Sequence, residues 1–146
     1  MGMEGTVQSI EVLAPAAQVF EIALDLDSYP EWATGVKQVD VLEEDEEGRP
    51  SRAAFVTDAM IKEISYVLRY HYDLDDGFSW DAEPGNDIKA MDGSYRFNEL
   101  ESGATEVLYA LRVEPAFTVP GFLRRQAEKQ IVSSALRGLK KRAESM

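Results

Sequence analysis

KAMDGSYRFNELESGATEVLYALRVE, residues 89–114, decides the fold when it is read with PGFLRRQAEKQIVSSALRGLKKRAES, residues 120–145. The first stretch alternates with a period of two, the signature of half-buried strands. Met91, Gly93, Tyr95 and Phe97 share one face. After the turn Glu101-Ser102-Gly103, Val107, Tyr109, Leu111 and Val113 share another, and Pro115 stops the strand. The second stretch changes period. Leu123, Ala127, Ile131, Ala135 and Leu139 recur every four residues, flanked by Ser134 and Gly138, which predicts one long helix with a core-facing stripe. Much of that stripe is small. Small residues allow either close contact with a sheet or room for a ligand.

Upstream, Thr6 to Leu13 alternates as a strand. Pro15 suits the first turn of a helix over residues 16–26, where Val19, Phe20, Ala23, Leu24 and Leu26 take helical spacing. Asp27 or Ser28 then caps a short second helix with Pro30 in its first turn. Residues 36–42, 51–58, 61–73 and 78–82 read as further strands. They are separated by an acidic turn over residues 43–50 and by Asp75-Asp76-Gly77, a hairpin-type turn. In the strand over residues 61–73, Ile64, Tyr66, Leu68, Tyr70 and Tyr72 share one face; Arg69 and His71 lie on the other. The expected fold is α+β. A curved antiparallel sheet of six to seven strands wraps around a long C-terminal helix, with two short helices between strands 1 and 2. It forms one domain over residues 1–146.

A sheet that grips a helix leaves a cavity between them. The expected lining is Trp32, Phe55, Tyr66, Leu68, Tyr70, Trp80, Met91, Tyr95, Phe97 and Tyr109, with Ala127, Ile131 and Ala135 from the helix. Ligand pockets are mostly apolar with a few convergent polar groups, and tyrosine hydroxyls on a concave face fit that description. The expected partner is therefore a small hydrophobic molecule.

Composition narrows the rest. Cysteine is absent and His71 is the only histidine, so thiolate or multi-histidine metal sites are excluded, and neither a metal nor a cofactor is expected. No glycine-rich phosphate loop or nucleophile elbow occurs. The net charge of −12 argues against nucleic acid. Charge is uneven, however: residues 121–146 carry seven Lys/Arg against two Asp/Glu, a local +5, leaving −17 elsewhere. A basic helical surface at Arg124, Arg125 and Lys129 could serve an interaction module. No apolar run suits a membrane span and the start has no signal-peptide pattern, so a cytoplasmic protein without stable membrane insertion is expected, as monomer or homodimer.

The run Val7-Gln8-Ser9-Ile10-Glu11-Val12, followed by Ala14-Pro15-Ala16-Ala17-Gln18-Val19-Phe20, resembles the strand–helix opening of the START-like (SRPBCC, helix-grip) superfamily. Asp25-Leu26-Asp27-Ser28-Tyr29-Pro30-Glu31-Trp32 resembles its second-helix motif. Gly93-Ser94-Tyr95-Arg96-Phe97, Gly103-Ala104-Thr105-Glu106-Val107 and residues 136–142 are similar to its later strands and terminal helix. The likeness covers nearly the whole chain. It is strongest to small single-domain polyketide cyclase/dehydrase-type proteins of actinobacterial kind; coenzyme Q-binding proteins are more distant. The resemblance implies binding or carriage of a lipid, quinone or polyketide-like molecule. The alternative it implies is a cyclase/dehydrase of aromatase type, with Tyr66, Tyr70, Tyr95 and Tyr109 as the available pocket groups. It places Pro30 and Trp32 where they shape the second helix and close one end of the cavity. No residue is assigned a catalytic role.

Overall fold

Alternation sets the sheet. In a computed structural model describing residues 5–59 and 62–145, seven strands form one antiparallel sheet in the order β1-β7-β6-β5-β4-β3-β2. They are β1 (Thr6–Val12), β2 (Val36–Glu44), β3 (Pro50–Asp58), β4 (Glu63–His71), β5 (Gly77–Ala82), β6 (Ile88–Glu99) and β7 (Thr105–Pro115). Every neighbouring pair but β1–β7 is consecutive in sequence, so short turns close the meander. The chain crosses from β1 at one edge to β2 at the other through α1 (Ala16–Leu24), a 3-10 turn (Leu26–Ser28) and α2 (Tyr29–Trp32). The last helix, α3 (Gly121–Glu144), lies against β1 and β7 and is met on its other side by α1 and α2.

The opening helix is shorter than its apolar spacing predicts, ending at Leu24 rather than Leu26. Leu26 starts the 3-10 turn instead, still fully buried. Ser28 precedes α2, but its hydroxyl donates to Asp25 Oδ2 at 2.7 Å rather than capping the helix. The expected strand start at Ile61 and the chain's first four residues lie outside the described residues.

The larger correction concerns α3. A strict four-residue row drifts about 40° around a helix at each step, because a turn takes 3.6 residues. The row from Leu123 to Leu139 therefore cannot stay on one side. Leu139 is fully buried, but Leu123 at the other end is 38% exposed. The buried ridge is Glu128, Val132, Leu136, Leu139 and Ala143, in which one three-residue step resets the drift.

Small residues on α3 serve both purposes that the sequence allows. A Cβ on Gly138 would lie 2.3 Å from the Trp32 carbonyl oxygen, so glycine there lets α2 sit directly on α3. Ala127 and Ala135, by contrast, border open space.

Candidate functional site

The concave side of the sheet has two unlike halves. Toward α1, Phe78 and Val107 are fully buried beside Val12, Val19, Leu139 and Ala143. Phe20 meets Phe78 and Phe97 edge-on at centroid distances of 5.6 and 5.3 Å, a favourable geometry for aromatic pairs. Thr105, completely buried here, donates to the Ala14 carbonyl at 2.7 Å. None of Phe20, Phe78, Phe97 and Val107 borders the cavity described next.

Toward α2 and the start of α3, the core opens into a cavity of about 120 Å³. That is well beyond the roughly 10–15 Å³ needed for a single water. Its walls come from every layer. Phe55, from β3, stacks on Tyr66, from β4, with centroids 5.4 Å apart and planes 6° from parallel. Leu68 and Tyr70 continue β4; Trp80 comes from β5, Met91 and Tyr95 from β6, and Tyr109 from β7. Ala127, Ile131 and Ala135 close it from α3.

Two residues expected in the lining are elsewhere. Trp32 stands behind Tyr29, with ring centroids 4.8 Å apart, and presses on Gly138. It is Tyr29 that borders the cavity. Phe97 belongs to the filled half, one period beyond Tyr95 and against Phe20. Alternation puts Phe97 on the correct face but says nothing about where along the strand the hollow ends.

The cavity is apolar except for its hydroxyls and one wall formed by Arg124 and Glu128. Tyr66 shares a hydrogen bond with Thr57 at 2.9 Å, and Tyr29 donates to the Ala23 carbonyl. The hydroxyls of Tyr70, Tyr95 and Tyr109 bond to no described residue, yet they are not sealed off: each keeps accessible surface, which the cavity supplies. Tyr95 and Tyr109 sit opposite each other on β6 and β7, centroids 4.6 Å apart. Burial raises the phenols of Tyr70, Tyr95 and Tyr109 well above the ordinary tyrosine value, and neighbouring phenols add to the rise. Burial also pushes Tyr66 up to about 12, against the opposing Thr57 hydrogen bond. Near neutral pH all of them are protonated. They can donate a hydrogen bond into the cavity and cannot act there as bases.

One polar wall escapes the sequence reading. Glu128 is 3% exposed and borders the cavity. Its carboxylate accepts from the Thr6 hydroxyl at 2.9 Å and from the Val113 backbone N–H at 2.8 Å, and it lies 3.5 Å from Arg124 Nη1. Arg124 also donates to the Val113 carbonyl at 3.3 Å. These bonds staple α3 to both β1 and β7 at the hollow end. The available signal was the ridge spacing 128-132-136-139-143, apolar at every position except the first.

The ionic groups of the opposite sheet face stay outside. His71 and Arg69 both bond Asp81 at 2.5 Å. Burial raises the Asp81 carboxyl, but these two bonds outweigh it and hold the group below its usual value. Arg96 pairs with Asp76 and Arg112 with Asp92, so none of these groups enters the cavity.

The structure has known relatives in shape. A START superfamily protein from Mycobacterium smegmatis superposes with a TM-score of 0.89 over 97% of both chains, at 20% identity. The Zhui aromatase/cyclase from a Streptomyces species superposes at 0.80, at 17% identity, over 97% of this chain and 93% of that one. A Thermus thermophilus protein gives 0.82 at 21% identity, covering 97% and 98%. At these identities the likeness is one of fold. No curated protein matches the chain by sequence. The family model for polyketide cyclase / dehydrase and lipid transport matches residues 12–140, nearly the whole chain, and the protein belongs to that START-like family.

Proposed function

We propose that this protein binds and carries a small hydrophobic molecule bearing at least one oxygen acceptor, held between the sheet and α3. The observation that supports this most directly is the set of Tyr70, Tyr95 and Tyr109 hydroxyls, unpartnered by described residues, on a largely apolar cavity. Each hydroxyl faces the cavity with no acceptor among the described residues, so it is free to donate to a ligand. A ligand carbonyl, hydroxyl or ether placed among the three would accept from them while its apolar body covers Phe55, Leu68, Met91 and Ile131. Lipids, quinones and polyketide-like molecules all have this character.

A second reading draws on the fold likeness to an aromatase/cyclase. Phenol donors that hold a ketone oxygen also polarise it toward the enol, which is the chemical requirement of cyclase and dehydrase steps. The cavity's carboxylate, Glu128, is tied to Thr6 and Val113, which leaves the tyrosine donors as the groups free to meet a ligand. Carriage is therefore the better-supported function.

The test is organic extraction of the purified protein with identification of what is released, followed by titration of an apolar fluorescent probe. The expected result is a near-stoichiometric apolar molecule containing oxygen, or probe uptake that Tyr95→Phe weakens. An empty extract together with no probe uptake would overturn the proposal.

A further inference from the structure

The start of α3, next to the cavity-lining Phe117 and Arg124, carries an exposed apolar and basic surface. Phe122 is 63% exposed and Leu123 38%; they are consecutive and stand on the first turn of α3. No packing explains them. Just before them Phe117 borders the cavity, with the Lys62 ammonium 4.7 Å from its ring centre. Just after them come Arg124, which also borders the cavity, then Arg125 and Lys129. Arg125 and Lys129 have no acidic partner among the described residues. The acids near this end are themselves engaged: Glu63 by Lys37, Asp87 by Lys62, Glu114 by Lys89, Glu128 inside the core, and Asp58 in a further interaction.

The acidic turn over residues 43–50 lies at the other end of the β2–β3 hairpin. Val36 pairs with Thr57 beside the cavity, and Glu44 pairs with Pro50 at the tip. Eight residues of strand separate the two ends, roughly 26 Å at about 3.3 Å per residue. Salt screens charges beyond about 8–10 Å, so the distant acids do not cancel the basic surface. A chain with a net charge of −12 thus presents a cationic, apolar end.

We infer that this end docks on an anionic lipid bilayer, with Phe122 and Leu123 entering the interface and Arg125 and Lys129 meeting lipid phosphates. Aromatic and aliphatic side chains beside Lys/Arg are the composition that binds in the plane of such a surface. A bilayer fits better than an acidic protein because Phe122, Arg125 and Lys129 fall at i, i+3 and i+7 on one helix face, so an exposed ring and two cations meet a single plane. An apolar cargo could then pass between cavity and membrane without crossing water. This last consequence rests on the proposed carrier function; the docking itself does not.

The test is co-sedimentation of the full chain with vesicles of phosphatidylcholine alone and of equimolar phosphatidylcholine and phosphatidylglycerol, at low and high salt. Wild type should pellet with the anionic vesicles at low salt and release at high salt. Arg125→Glu with Lys129→Glu should weaken the partitioning at least about tenfold, and Phe122→Asp should weaken it comparably while leaving the thermal melt unchanged. Absence of pelleting with anionic vesicles at low salt would overturn the inference. So would equal pelleting with phosphatidylcholine alone. So would loss on charge reversal but not in Phe122→Asp, which would indicate electrostatic adsorption without entry of Phe122 into the interface. An empty extract from a protein that still pellets would remove the carrier function and leave the docking intact. A cargo found in a protein that never pellets would do the reverse.

Discussion

The two halves of the concave core use the same residue types to opposite ends. Around Phe78, aromatic rings meet Val107 and α1 and fill the space completely. Around Tyr95 and Tyr109, two strand positions away or less, rings of the same size border a void. The difference comes from what faces them. The filled half is opposed by α1 through Val19 and Phe20 and by Leu136, Leu139 and Ala143 of α3. The hollow half is opposed by Ala127 and Ala135, which are too short to reach, and by Glu128, which bonds sideways to the sheet. A cavity here is thus a property of the helix face rather than of the sheet.

Alkali should have the largest effect. All six tyrosines have folded values raised by burial, Tyr66 to about 12. The folded state holds these protons more tightly than the unfolded chain, whose phenols titrate near ~10. The stability they contribute is complete below about pH 10 and drains away as pH climbs through about 12. Absorbance of phenolate against pH should therefore rise in one step together with loss of circular dichroism. A phenol of the hollow half titrating near pH 10 in the folded protein would mean that half is open to water.

Phe78→Ala should cost about 3–5 kcal/mol in denaturant unfolding, because rigid walls keep the space it leaves. Met91→Ala in the hollow half should cost about 2 kcal/mol or less, since its removal only enlarges an existing void. Equal costs would erase the distinction between the halves. Glu128→Ala leaves the Thr6 hydroxyl and the Val113 N–H without their acceptor and should cost about 1–3 kcal/mol. Tyr95→Phe should be smallest, within about 0.5 kcal/mol in the ligand-free protein, because its hydroxyl bonds to no described residue. A large loss there would reveal a partner for that hydroxyl.

Strand periodicity carried the sheet, because most strands bury one face and a period of two then fixes the assignment; edge strand β2 buries only Val39. The faces of Tyr66, Leu68, Tyr70, Met91, Tyr95 and Tyr109 were legible for the same reason. Position along the strand was not, which is why Phe97 was expected at the cavity. Helix rotation was legible only in part. Apolar spacing picked out Ala127, Ile131 and Ala135, yet the Leu123 end of that row faces solvent. Glu128 was hidden because a carboxylate counts as a surface residue until its partners are known, and those partners lie 122 and 15 residues away. Trp32 was expected at the cavity because the family resemblance places it at one end; Gly138 gives it another place to go.

Native mass spectrometry of wild type beside Ala135→Phe decides whether the hollow half holds a small apolar molecule. Ala135 faces the cavity, so a phenyl ring there should occupy it at little cost in stability. The wild-type peak should be heavier than the chain by one small molecule and the Ala135→Phe peak should lie at the bare mass, both folded. The same added mass on both proteins would place the ligand elsewhere and contradict occupancy of the hollow half.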